Sequence, residues 1–488
     1  MSIRRLLPAL LATAAISPGV LSPAFASPAT SDGARRLEQS YADYLTRAVV
    51  DKGVVSVTPD GDDYVVAWDL EKGVVLLGAD PGALKAARFS YRLTPTGGDA
   101  WRLAADGFPT LSIDAPTDAG RTTGTFELRG FGLQGAYDPA QTDFLRAKFG
   151  VDVAQAKFKV VDAQQTAETD LAETGVSGET RAKSAADGAG VDVASVHSFA
   201  SLTETIVGAP ADGSGPTALT YSIGAGVGEA TLTGLRANEI AECWKYVVAH
   251  GDEAPIPHEF DDKLRAALPL WTNLKVAGKL SDIVMKAPFG QAKVKSVAET
   301  IGISGLTASA LAEFGVQVDG VTIDSPQAPP WAAKLTPASL SFDLKFSGGG
   351  FDRAARIALD DPSFAASGEL SPDAQEKIDA ALFAGDPKLT LAPGRFSTPT
   401  LDLAYEGEAS AVAGQPRGRF VVSADGLDKA LALLQEIAGA DPEAEAAILG
   451  LTYAKGLAKP GPDGRLTWTI EMTGGEVTVN GSPLPMGK

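Results

Sequence analysis

The sequence predicts an α+β, β-rich fold: extended antiparallel curved sheets backed by a few amphipathic helices. Three observations carry this. Period-two alternation recurs through most of the chain, as where Leu466, Trp468, Ile470 and Met472 alternate with Thr467, Thr469 and Glu471. The 53 glycines and 31 prolines among 488 residues favour many turns and short strands. Helical spacing is confined to a handful of stretches.

Residues 1–26 read as a secretory signal. Arg4 and Arg5 form its charged start, Leu6 to Ile16 its apolar middle, and Ala24-Phe25-Ala26 a small-x-small cleavage site before Ser27. The apolar run is short and broken by Pro8 and Pro18, and no later stretch reaches the length of a membrane span. The expected product is periplasmic, with no transmembrane segment after signal cleavage. Residues Ser27 to Ala34 are small and polar and predict a loose start.

Leu37, Tyr41, Tyr44, Leu45 and Ala48 then mark a helix ended by Gly53. Strands follow at Tyr64–Trp68, Val74–Leu77, Phe89–Leu93, Trp101–Ala104, Leu111–Ile113, Thr125–Leu128 and Phe158–Val161. Turns such as Pro59-Asp60-Gly61-Asp62 and Thr96-Gly97-Gly98-Asp99 separate them, which predicts an antiparallel meander. Gln164 to Gly190 is poor in β-branched and aromatic residues. It predicts an excursion from the sheet, the alternative being a segment wet on both faces. Strands resume at Val191–Val196, Leu202–Ile206, Leu219–Ile223 and Ala230–Leu232.

Asn238 is placed to cap a helix carrying Ile240, Trp244, Val247 and Val248. Phe260, Leu264, Ala267 and Leu268 mark a second, stopped by Pro269. This pair divides the mature chain into an N-terminal β-rich half, residues 27–235, and a C-terminal β-rich half with helices, residues 236–488. The second half has strands at Leu274–Val276, Ala292–Val297, Val316–Ile323, Leu340–Phe346, Leu389–Leu391, Thr400–Tyr405 and Gly418–Val422. Ser371 and Pro372 open one helix. Asp425 is placed to cap another through Leu427, Ala430, Leu431, Leu434 and Ile437, stopped by Gly439. Asp441-Pro442 starts a short successor. Gly474-Gly475 supplies the turn of a closing hairpin.

The composition excludes more chemistry than it suggests. The net charge of −19, or −21 once Arg4 and Arg5 leave with the signal, opposes binding to nucleic acid and to anionic head groups. Only His197, His250 and His258 are available as general bases near neutral pH. His258-Glu259 lacks the second histidine of a zinc-protease helix. His250 ends a helix, where a cation is favourable for dipole reasons alone. His197 lies at the edge of a predicted strand. No G-x-S-x-G elbow occurs; Gly302-Ile303-Ser304-Gly305 and Gly175-Val176-Ser177-Gly178 lack its spacing. Gly224-Ala225-Gly226-Val227-Gly228 fits no phosphate loop and reads as a bulged or closely approached strand. Gly348-Gly349-Gly350 reads as a loop. Asp60, Asp62 and Asp63 lack the glycine and distal glutamate of a calcium loop and read as a solvated turn, as do Asp360-Asp361. Cys243, the only cysteine, falls on an apolar helix face and reads as a small buried hydrophobe. No catalytic, cofactor-binding or metal-binding residue is therefore assigned.

The C-terminal half resembles DUF2125, an uncharacterised periplasmic family of Gram-negative bacteria. The residues concerned are Ala267-Leu268-Pro269-Leu270-Trp271-Thr272-Asn273-Leu274, Pro330-Trp331-Ala332-Ala333-Lys334-Leu335-Thr336-Pro337 and Ser347 to Phe351. The ending Gly464-Arg465-Leu466-Thr467-Trp468 with Val477-Thr478-Val479-Asn480-Gly481 is also similar. The resemblance covers residues 260–488 and implies a β-rich envelope protein without assigned activity. The reading favoured is a non-catalytic periplasmic protein that holds an apolar ligand such as lipid, or a partner segment, along its sheets. A hydrolase drawing on His197, His250 or His258, and an envelope adaptor binding another protein along a sheet edge, are the alternatives.

Overall fold

The computed structural model describes residues 28–484 except 98–99, 118–119, 139–142, 163–164, 187, 189, 211–214, 251–257, 308–309, 330, 368, 385, 413–414, 439–441 and 462. The signal segment, half of the Thr96–Asp99 turn, and Gly439 and Asp441 at their helix ends thus lie outside the described residues. The fold is α+β and β-rich, with a large antiparallel sheet. The chain divides into two compact units, up to Trp271 and from Thr272 on, so the central helix pair belongs to the first.

The first unit begins with helices α1 (Ser31–Leu45) and α2 (Arg47–Asp51), not with a loose segment. Thr30 caps α1, its hydroxyl accepting from the Gly33 N–H at 3.0 Å, while its own N–H donates to Tyr64 Oη at 3.1 Å. A Cβ on Gly33 would sit 2.0 Å from that hydroxyl, so the helix start packs closely on Tyr64 while Thr30, Ser31 and Asp32 stay exposed. Strands β1 (Val55–Asp60) and β2 (Asp63–Trp68) form the first hairpin. Val74 to Leu77 is not a strand. Asp69 caps the Lys72 N–H and starts helix α3 (Leu70–Leu76), which buries Val74.

Strands β3 (Leu84–Ala86), β4 (Phe89–Gly97), β5 (Ala100–Asp106), β6 (Leu111–Thr117), β7 (Gly120–Arg129) and β8 (Gly132–Asp138) lead to two long ones. These are β9 (Asp143–Asp162) and β10 (Gln165–Ser184), each of 20 residues. Strands β11 (Val191–Phe199), β12 (Ser201–Pro210), β13 (Thr217–Ile223) and β14 (Ala225–Leu235) follow. The ribbon β9–β10 is the trunk. The outer edge of β9 takes β7 and β8 end to end, and that of β10 takes β12 and β11. Two apolar cores sit on the resulting branches. Ala34, Leu37 and Val49 of the helices pack on Val55, Val66, Phe89, Tyr91, Leu93, Trp101 and Leu103. Val74 packs on Leu84, Leu111, Phe126 and Ala156. Each fully buried side chain of this size stabilises by about 1.5–3 kcal/mol.

Within the expected excursion at Gln164–Gly190, Gln165–Ser184 is instead β10. Its charges are satisfied across strands, with Lys157 to Asp170 at 3.1 Å and Lys159 to Glu168 at 2.8 Å. On the alternate positions Leu171 packs toward the second core. Pairing and one packed face outweigh the weak β propensity of Ala, Glu and Thr. Helices α4 (Ala237–His250) and α5 (His258–Ala267) end the unit. Asn238 is not the cap, since α4 already begins at Ala237 and the Ile240 N–H bonds to Arg236 O at 2.9 Å.

The second unit is a meander. It starts with the hairpin β15 (Asn273–Ala287) and β16 (Gly290–Ser304), followed by β17 (Leu311–Asp319), β18 (Thr322–Asp324), helix α6 (Ala332–Leu335) and β19 (Ser339–Ser347). Helices α7 (Phe351–Asp360), α8 (Pro362–Ser367) and α9 (Pro372–Phe383) precede β20 (Lys388–Ser397), β21 (Asp402–Val412) and β22 (Gln415–Asp425). Ser371 caps α9 as expected. Asp361 does not sit in a solvated turn. It is buried, and its carboxylate accepts from the N–H groups of Ser363 at 3.0 Å and Ser371 at 2.6 Å. The Ser371 bond above all holds its pKa below the ordinary value.

Helix α10 (Leu427–Ile437) is capped by Gly426 in the left-handed region and not by Asp425, whose carboxylate accepts from the Gly426 N–H. Its successor α11 (Pro442–Leu457) has 16 residues and is not short. Strands β23 (Lys459–Pro460), β24 (Leu466–Thr473), β25 (Glu476–Val479) and β26 (Ser482–Pro483) close the chain. Gly474 and Gly475, at φ 59° and 89°, make the two-residue turn between β24 and β25. The expected wet face of β24 is only partial. Glu471 and Thr473 are exposed, whereas Thr467 and Thr469 are half-buried.

Candidate functional site

Cross-strand partners share a face, so the register of the second unit assigns its sides. Leu274 and Val276 of β15 stand opposite Ile303 and Ile301 of β16. Ile301 stands opposite Phe314 of β17, and Phe314 opposite Leu344 of β19. The same row passes through Leu391, Gly407, Phe420 and Ile470 to Val479. One apolar face thus crosses the whole meander.

The opposite face is charged. Glu313 pairs with Lys345 at 3.3 Å, Lys388 with Glu408 at 2.6 Å, and Arg395 with both carboxylate oxygens of Asp402. The Arg395 bonds chiefly hold the Asp402 pKa below its ordinary value.

Helices cover part of the apolar face. The Phe351 ring of α7 meets Phe346 edge-on at 6.3 Å, and Trp468 Nε1 donates to Ala454 O of α11 at 2.6 Å. At the β15–β17 end the face is open: Val276 is 38% exposed, Ile301 36%, Ile303 43% and Phe314 44%. Four large apolar side chains in adjoining register, with water on them, form a patch that isolated surface residues do not. This is the candidate site, an apolar sheet face for a ligand without fixed polar groups. The strands were legible, but Ile301, Ile303 and Phe314 were not singled out. Their signal was the alternation Val297, Ile301, Ile303, interrupted by Glu299.

The chemistry-bearing residues fall elsewhere. His250 stacks on Tyr246 at 4.2 Å between centroids, with Nδ1 3.0 Å from Tyr246 O, and Tyr246 stacks in turn on Phe260. This is a helix-end packing contact. His197 is not at a strand edge but well inside the sheet, opposite Gly178 and Gly228. A Cβ on Gly228 would sit 2.2 Å from its Nε2, which accounts for the close approach expected of the 224–228 glycines. Burial pushes the Glu173 carboxyl up, and His197 nearby opposes that shift. The side chain of His258 lies outside the described residues. Neither His197 nor His250 hydrogen-bonds a described serine or carboxylate, the geometry a hydrolytic constellation needs. Asp60 and Asp63 pair with Arg92 at 2.8 and 3.5 Å. Among the described residues no group of three His, Cys, Asp or Glu is placed to hold a metal.

Cys243 is buried on α4 beside the likewise buried Tyr246. Trp244 and Val247 do not join it, being 52% and 42% exposed. Desolvation pushes its thiol pKa up, which suppresses the reactive thiolate. Native labelling with a thiol reagent is expected to run at least tenfold slower than in denaturant. Equal rates would make Cys243 an accessible, reactive thiol and a candidate nucleophile.

No family model, curated protein or solved structure matches the chain.

Proposed function

We propose that the chain is a non-catalytic periplasmic envelope protein, exported through a cleaved signal of residues 1–26, that holds an apolar ligand such as a lipid acyl chain on the open sheet face of its second unit. One observation carries the reading. Val276, Ile301, Ile303 and Phe314 stand exposed in adjoining register on one face while the reverse face is laced with ion pairs. An acyl chain asks for contact area and no hydrogen bonds, which such a face supplies. Each methylene removed from water there contributes about 0.8 kcal/mol. The envelope setting rests on the signal-like residues 1–26 and on the motif resemblance of residues 260–488 to DUF2125, which no family model extends to a match.

Native mass spectrometry of the protein from its own periplasm tests both halves of the proposal. The polypeptide mass should begin at or near Ser27, and lipid should be released on solvent extraction. In the double variant Ile301→Asp, Phe314→Asp the co-purifying lipid should fall at least tenfold with thermal unfolding retained. An intact N-terminus would refute the export reading. Absence of lipid from the wild type, or undiminished lipid in the variant, would refute the ligand reading. Recovery of a stoichiometric protein along the same face would favour the adaptor.

A further inference from the structure

The overall charge of −19 opposes approach to an anionic surface, yet charge is not evenly spread. Between residues 273 and 296, Lys275, Lys279, Lys286, Lys293 and Lys295 stand against the single acid Asp282. All five lysines are exposed, and none forms an ion pair with a described residue. They lie on the β15–β16 hairpin, whose strands turn at Pro288-Phe289.

The tip of that hairpin is two-sided. Met285 of β15 stands opposite Ala292, and Ala292 opposite Ile323 of β18, so the three share one face. Met285 is 45% exposed, Ile323 51% and Phe289, at the turn, 58%. The neighbouring pair Lys286 and Gln291 points to the other face, with Asp324 beyond it. Lys293 alternates with Ala292 in the same way. Asp282 sits at φ 54° within β15, and the ladder to β16 keeps its register on either side, from Ser281 opposite Ser296 to Ile283 opposite Val294. The turn itself is held, since Ser325 Oγ donates to Phe289 O at 2.5 Å. A phenylalanine presented in water on a fixed turn, with methionine and isoleucine beside it and lysines behind, has the make-up of a wedge that enters a lipid interface.

We propose that the β15–β16 tip docks this protein on an anionic phospholipid surface, with Phe289, Met285 and Ile323 entering the acyl boundary and Lys286 and Lys293 meeting head-group phosphates. The rest of the acidic chain is repelled, so one end alone is held against the membrane. The inference goes beyond ligand binding and does not depend on it, because docking is read on vesicles whether or not a lipid is carried away.

Cosedimentation of the exported form with vesicles of phosphatidylglycerol and phosphatidylcholine, against pure phosphatidylcholine, tests it. Binding should appear on the anionic vesicles only and weaken as salt rises. Each lysine near such a surface is worth about fivefold in affinity, so Lys286→Glu with Lys293→Glu should lose roughly thirtyfold or more. Phe289→Asp should lose at least tenfold while its melting temperature stays with that of the wild type, the residue being in water already. Wild-type protein that ignores anionic vesicles, binds both kinds alike, or keeps its affinity in both variants overturns the proposal. So would preferential capture by an acidic polypeptide.

Discussion

Trp468→Ala is expected to lower the unfolding free energy of the second unit by about 3 kcal/mol, a large share of a typical domain's stability. The ring does two things. By register it lies opposite Val422 on the apolar face of β24, and its Nε1 donates to Ala454 O of α11 at 2.6 Å. The substitution opens a cavity under α11 and leaves a half-buried carbonyl without its partner. Thr469→Ala, one residue away, should cost under about 1 kcal/mol, because the bond from the Thr469 N–H to Asn480 Oδ1 is made by the backbone and survives. Urea unfolding followed by fluorescence of the remaining tryptophans in Trp468→Ala, and by circular dichroism in both, separates the two. Equal losses would mean that β24 is packed alike on both faces.

Asn480→Ala should cost about 3 kcal/mol, from several small causes acting at one residue. Its Oδ1 accepts from the Thr469 N–H at 2.9 Å, and its Nδ2 donates to Leu457 O at 2.7 Å and to Thr467 O at 3.0 Å. The side chain thus ties the end of α11 to β24. The residue also sits at φ 51°, which asparagine tolerates better than alanine. Asn480→Gly should recover the conformational part and not the bonds. Asn480→Asp should keep the acceptor but set a carboxylate oxygen against the Leu457 and Thr467 carbonyls. The order of stability expected from denaturant midpoints is wild type, then glycine, with alanine and aspartate below. Alanine at wild-type stability would sink the bridging role.

Local signals in the sequence were strong enough to place most strands, the Ser371 cap and the closing hairpin. What they could not place was decided at a distance. Val74 to Leu77 has strand composition, but the Asp69 cap and burial of Val74 turn it into helix. Gln165–Ser184 looks too polar for a strand until Lys157 and Lys159 are found across from Asp170 and Glu168. Asp361 and Asn480 look like turn residues, and only the folded chain brings them the N–H and carbonyl groups they satisfy. The candidate face was half legible. Alternation announced a one-sided sheet, but which end the helices leave open depends on where α7 and α11 land. A sequence in strand order does not contain that.

The meander of the second unit also bears on how it forms. Apart from the short β18 and β23, each strand from β16 to β26 pairs with the one made just before it. Closure is short for the hairpins β15–β16, β20–β21, β21–β22 and β24–β25, whereas β20 joins β19 only across α7–α9 and β24 joins β22 only across α10 and α11. The sheet can grow strand by strand, and at every stage the unpaired backbone on the growing side is that of the newest strand. The trunk of the first unit has no such order. There β8 must find β5, and β14 must find β11, across intervening strands. The second unit therefore grows from one edge, with β20 and β24 the strands that wait on their helices, while the first closes its branches across other strands.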